Sequence, residues 1–352
     1  MTMDRRRLLR SAPALLLGRS GLLIPSLLAP SFRSALSAAT PEFPAALLVP
    51  RSGEHAALGR SMERAAMLAQ GAGDAKLFHV CDTLGTPEGA IAAAKLARRG
   101  GARILLGPIF AAELPGVVAV AGPSVPVISF SNDASLRESG AFVFGITAVQ
   151  IVTTLLRYAA GRGIRRVAVA PDAAGGWGAQ VLAAANQLAR PLGLELVRLP
   201  AGWAQAVAGL PDAVLFGDSD QLTSAGPALT GRGVQVLGAI SGLDLPAETL
   251  RTLEGAWFAA PDPAGFASFA RAFEDRVGSP PGLITALAYD AVRIVQQLRH
   301  GGGVDRSALL AATGFNGVCG NLRFREDGSA ARALAVLAVK NAKLVSVASS
   351  LA

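Results

Sequence analysis

The polar side chains that could act on a small molecule are few and sit on short loops. Ser131-Asn132-Asp133 follows one apolar run, Gly217-Asp218-Ser219 a second and Ser241-Gly242 a third. Hydroxyl, amide and carboxylate groups so placed can bond a ligand, or can close an Asx turn on their own backbone. Gly176-Trp177-Gly178 faintly imitates a dinucleotide loop, but Val181 stands where the third Gly belongs, and Glu195 opens its strand rather than ending it. The chain after the leader has no Walker loop and no Gly-x-Ser-x-Gly elbow. His55, His79 and His300 belong to unrelated elements, so Ser241 has no base beside it and nucleophilic catalysis has no constellation. Cys81 and Cys319 form no zinc pattern with these histidines, and they are read as unpaired. No catalytic residue, metal ligand or cofactor is expected.

Composition narrows the choice further. Of 352 residues 51% are apolar and 16% charged, which excludes a mostly disordered chain and allows two domains of ordinary size. The formal net charge of +8 suggests nucleic acid until its location is considered. Six of the basic residues but only one acid, Asp4, fall within residues 1–39, leaving 27 basic against 24 acidic residues beyond them. No nucleic-acid footprint is expected. Asp4-Arg5-Arg6-Arg7-Leu8-Leu9-Arg10 resembles a twin-arginine export signal, followed by apolar stretches and by small residues that offer cleavage near Ala39. Arg19, Pro25 and Pro30 interrupt that leader, so it reads as a signal rather than an anchor, and no transmembrane segment is expected in the mature chain.

Elements that must carry the loops follow from Phe43 onward. Apolar runs at 45–49, 76–80, 103–106 and 125–130 alternate with helical spacing at 55–70, 86–99 and 111–121. Thr86-Pro87-Glu88 opens its helix with a capping hydroxyl and a first-turn proline. A second series gives helices at 149–160 and 178–190, and strands at 166–170, 194–199, 213–216, 234–239 and 255–260. Helices at 266–277 and 283–299 come next, the latter with a stripe of Leu283, Leu287, Ala291, Ile294 and Leu298. A terminal hairpin of 333–338 and 343–347 turns at Asn341-Ala342. Continuous apolar strands joined by helices predict an α/β fold of two doubly wound parallel sheets in series.

These residues resemble the type 1 periplasmic solute-binding proteins of the leucine/isoleucine/valine-binding group. The resemblance rests on Leu48-Val49-Pro50-Arg51-Ser52-Gly53, Asp82-Thr83, Leu106-Gly107-Pro108, Val125 to Ser129, Ala288-Tyr289-Asp290-Ala291, Phe315-Asn316-Gly317, and Asp327-Gly328, in order and spacing. It implies two lobes joined by three hinge crossings near 145–147, 259–261 and 320–327. Lobe one is then 40–146 plus 262–322, and lobe two 147–261 plus 323–352. Gly107 to Glu113 and Ile128 to Asp133 are similar to one branch, the penicillin-binding-protein activators.

Two functions therefore stay open. One is an exported, periplasmic, non-catalytic protein that captures a small amino-acid-like or amide-like ligand for an inner-membrane ABC permease. The other is a periplasmic activator of a peptidoglycan synthase acting by protein contact. On the resemblance, ligand-binding positions fall at Ser52, Phe110, Ser131, Asn132, Asp133, Trp177, Gly178, Asp218 and Ser241, with His55 bordering the first loop. The family's hydroxyl on the third-strand loop is missing at Phe110-Ala111-Ala112, and the acid that holds an ammonium in several relatives falls at Ile240. Trp177 either covers a ligand, or packs between lobes or caps its helix.

Overall fold

A computed structural model describes residues 44–71, 76–170, 176–199, 202–204 and 209–349; the expected export signal at 1–39 lies outside the described residues. The first sheet grows from the run Ala45–Val49 (β1), in which every residue is buried. Alternate side chains enter different cores: Ala45, Leu47 and Val49 face one, Ala46 and Leu48 the other. That double burial is why the run shows no polar alternation. Helix α1 (Ala56–Gln70) follows, then β2 (Phe78–Asp82), α2 (Pro87–Arg99), β3 (Ile104–Leu106), α3 (Leu114–Ala121), β4 (Val127–Ser129) and β5 (Phe142–Val143). The strands pair in parallel in the order β2-β1-β3-β4-β5. Thr86 caps α2 by accepting from the Gly89 N–H, as its sequence predicts.

Helix α4 (Ala148–Gly161) leads into the second sheet. Its elements are β6 (Arg166–Val169), α5 (Trp177–Leu188), β7 (Glu195–Leu196), β8 (Ala213–Phe216), α6 (Ser219–Thr230), β9 (Gln235–Gly238), α7 (Ala247–Thr252) and β10 (Trp257–Ala260). The chain then returns to the first core with α8 (Pro263–Val277) and α9 (Leu283–His300), whose apolar stripe packs beside α1. After α10 (Arg306–Ala311) come the paired strands β11 (Leu322–Phe324) and β12 (Ala330–Arg332), then the hairpin β13 (Ala335–Lys340) and β14 (Lys343–Ser349). The second sheet runs β14-β13-β10-β9-β8-β6-β7, antiparallel only at the hairpin end. Asn341 and Ala342 both have positive φ, at 51° and 59°, which a tight two-residue hairpin requires.

Expectation and structure differ in detail. β5, α10, β11 and β12 were not foreseen, being only two to six residues long. The strand expected at 194–199 is regular only over Glu195–Leu196. Phe324 and Ala330, expected to belong with the second lobe, pack in the core of the first sheet, whereas Leu334 is in the core of the second.

A buried polar knot joins these parts. Asp290 on α9 accepts from the Val318 and Cys319 N–H groups, both at 2.8 Å. Arg332 donates to Cys319 O at 2.8 Å and Phe144 O at 2.6 Å, and its guanidinium lies 4.9 Å from the Phe144 ring centroid. Burial pushes the Asp290 carboxyl up from its ordinary range, against the pull of both N–H groups and the Arg332 charge. Cys81 and Cys319 are unbonded and buried in different cores, on opposite faces of the first sheet. Asp290→Asn turns one acceptor into a donor aimed at a backbone donor. It should cost about 1–3 kcal/mol, read as a lower urea midpoint at unchanged slope.

Candidate functional site

Parallel strands deliver their following loops to one end of each sheet, and ligands bind beyond those carboxyl ends. Here the loops after β3 and β4 meet the start of α5 and the loop after β9 around a cavity of about 550 Å³. Ile109, Phe110 and Ala111 come from the β3 loop, and Phe130 to Asp133 from the β4 loop. Trp177 and Gln180 enter from α5, Ile240 and Ser241 from the β9 loop. Ile146 and Ile151, with Leu283, Ile284 and Leu287 of α9, complete a largely apolar lining. Gly145 lies against the β4 loop so closely that a Cβ would run into Ser131 O.

The two loops of the first sheet hold themselves in place. The Phe110 N–H donates to Glu113 Oε2 at 3.1 Å, and the Phe130 N–H to Pro108 O at 2.9 Å. The Ser131 N–H donates to Ser129 Oγ, and the Asp133 N–H to Ser131 Oγ, each at 3.2 Å. Asp133 Oδ1 accepts from the Ser135 N–H at 2.9 Å and from its hydroxyl at 2.7 Å. The Asx turn is thus formed, and its members line the cavity as well. Glu113 is buried behind Phe110, and burial raises its pKa in spite of the Phe110 N–H. His55 packs against the Phe110 ring at a 46° tilt, 4.6 Å between centroids.

The facing side carries Trp177. Its indole N–H donates to Ala239 O at 2.7 Å, its ring packs on the second core, and it borders the cavity. Gln180, one helical turn on, was not singled out from the sequence, although the spacing from Trp177 puts it on the same face. Gln180 Oε1 and Ser241 Oγ are buried oxygens with no hydrogen-bond partner in the protein.

Phe110, Ser131, Asn132, Asp133, Trp177 and Ser241 are therefore brought together, whereas Ser52, Gly178 and Asp218 lie outside the lining. Ser52 donates to Asp82 Oδ2 at 2.5 Å, and the Arg51 and Leu84 N–H groups bond Asp82 Oδ1 at 2.8 and 2.9 Å. Gly178 is buried where a Cβ on Gly217 would touch its Cα. Asp218 caps α6, accepting from the Gln221 N–H at 2.8 Å. Among the other histidines, His79 lies in β2 and His300 ends α9.

With this geometry in hand, the comparisons are specific. A family model described as periplasmic binding protein matches residues 42–343, and the chain belongs to that family. A search of curated proteins finds no match. The structure is similar to a branched-chain amino acid ABC transporter periplasmic ligand-binding protein from Burkholderia xenovorans, with TM-score 0.70 and 17% identity, covering 87% of this chain and 94% of that one. It is also similar to an ABC transporter solute-binding protein from Rhodopseudomonas palustris in complex with 3,4-dihydroxybenzoic acid, with TM-score 0.63, 18% identity, and coverage of 88% and 97%. A third is an ABC transporter substrate-binding protein from Desulfitobacterium hafniense in complex with Leu, with TM-score 0.65, 18% identity, and coverage of 87% and 99%. Among the described residues no helix is long and apolar enough to cross a membrane.

The Ser52–Asp82 pair makes its own prediction. Burial works to raise the Asp82 pKa, but the Ser52 hydroxyl and the Leu84 and Arg51 N–H groups outweigh it, so the carboxyl sits below its ordinary value. A lowered folded pKa stabilises the protein above the unfolded pKa and loses that effect as pH falls through the folded one. Ser52→Ala should raise the Asp82 pKa in an NMR titration and lower stability by about 1 kcal/mol or less at neutral pH. The loss should vanish once Asp82 is protonated.

Proposed function

We propose that this chain is an exported, non-catalytic solute-binding protein that takes up a small ligand between two lobes and presents it to an ABC-type transporter. The observation that carries this reading is a cavity into which both sheets send loops from beyond their carboxyl ends. In this reading lobe one is 40–146 plus 262–322 with β11 and β12 packed on its core, lobe two is 147–261 plus the terminal hairpin, and they close about crossings near 145–147 and 259–261 and a third between β12 and the hairpin. Phe110, Ser131, Asn132, Asp133, Trp177 and Ser241 touch the ligand, with Gln180 beside them. Ser52, Gly178 and Asp218 act by shaping their loops. The leader at 1–39 directs the chain to the periplasm and is removed near Ala39. The neighbours' descriptions as ABC-transporter binding proteins favour this reading over contact with a peptidoglycan synthase.

Native mass spectrometry of the mature protein, with a thermal-shift series of amino acids, amides, short peptides and muropeptides, tests it. A ligand present at a hundred times its Kd stabilises by about 2.7 kcal/mol, several degrees for a chain this size. A bound mass or a saturating shift is the expected outcome; neither, across the series, counts against capture. Trp177→Ala should weaken binding of the compound found by at least ~1 kcal/mol, about fivefold.

A further inference from the structure

The polar groups of the cavity restrict what it can hold. None of the described residues lining it is Lys, Arg or His, and the one charged side chain is the carboxylate of Asp133. A ligand carboxylate would therefore meet a like charge with no cation to offset it, in a largely apolar enclosure that strips its water. The loop N–H groups of Phe110, Phe130, Ser131 and Asp133 already donate within the protein. Glu113, buried behind Phe110, adds a second acid to the same side.

What the cavity leaves unmatched points to a different group. Gln180 Oε1 needs a donor, and Ser241 Oγ can give one hydrogen bond and receive others. A primary amide or a hydroxyl supplies both a donor and an acceptor, whereas a carboxylate supplies acceptors alone. An ammonium carries three donors, and the one carboxylate among the described lining residues, Asp133, already spends Oδ1 on two donors from Ser135, with no second acid at Ile240. Phe110, Phe130, Ile146, Ile151 and Trp177 provide the surfaces for an apolar, flat body.

Resting on the capture reading above, we propose that the cavity selects an uncharged ligand, an apolar body ending in an amide or hydroxyl, and discriminates against carboxylates and amino acids. The deciding juxtaposition is Gln180 and Ser241 across from Asp133, with no cation among the described lining residues.

The test titrates the intact mature protein with matched probes, following Trp fluorescence and heat. The pairs are benzamide with benzoate, benzyl alcohol with benzylamine, and 4-methylpentanamide with 4-methylpentanoate and leucine. At least one neutral member should bind at least about tenfold more tightly than its charged counterparts. Gln180→Leu and Ser241→Ala should each weaken that neutral probe about fivefold or more. Asp133→Asn, which keeps the Oδ1 acceptor of the turn, should improve the carboxylates. Carboxylate, amine or amino-acid binding as tight as the neutral member overturns the proposed selectivity and leaves capture standing. If no probe binds at millimolar concentration the selectivity falls too. The mass carried by the purified protein then decides capture separately: an anion or zwitterion retains it, and an empty protein removes it.

Discussion

Two consecutive backbone N–H groups, that of half-buried Val318 and that of buried Cys319, lie outside any strand or helix, and the Asp290 carboxylate takes both. Much of the architecture depends on that arrangement. An unmade bond to a buried N–H costs about 1–3 kcal/mol, so the loop of 317–320 is held tightly to α9. Gly317 is required there, since a Cβ would collide with the Asp290 carboxylate. With the loop fixed, Cys319 O is in position to receive Arg332, which reaches on to Phe144 O at the end of the first sheet. Three distant stretches of chain thus meet at one buried cation. Gln150 extends the knot into α4, donating to Ala330 O and accepting from the Thr147 N–H.

The cavity shows the same economy. The loops of the first sheet use most of their hydrogen-bonding capacity on themselves, which fixes Phe110 and Asp133 without help from any ligand. The α5 side is less self-sufficient, because Gln180 and Ser241 each keep an oxygen unmatched. One side of the site is a rigid, apolar and acidic surface, while the other carries the unspent hydrogen bonds.

The strands were legible where both faces are buried, since Ala45–Val49 and Ala213–Phe216 then read as unbroken apolar runs. The caps at Thr86 and the turn at Asn341 were legible because short-range chemistry decides them. β5 was not, because two residues carry no period. Asp218, on a loop after a strand, was read as a ligand position, and there the sequence is ambiguous: Asp218 before Ser219-Asp220-Gln221 is also an N-cap signature, and the helix uses it so. Ser52 is likewise spent on Asp82. Gln180 went unread because a lone glutamine on a helix has no signature, and only the fold shows that nothing in the protein meets its oxygen.

The first sheet is written early, between Ala45 and Val143, yet its core on the α1 side is finished by Phe269 to Ala330. The second sheet begins at Arg166 and is closed by a hairpin that ends at Ser349. Neither core can be sealed by the stretch of chain that starts it. A ribosome that has emitted the first two hundred residues has made five strands whose α1 face is covered by α1 but still lacks α8 and α9, together with the opening strands of a sheet that lacks its edge. Such contacts across long sequence separations carry a large loop-closure cost and make folding slow. The cooperative transition to the native state therefore belongs to the completed polypeptide, and the apolar surfaces of the unfinished chain need shielding until synthesis is over.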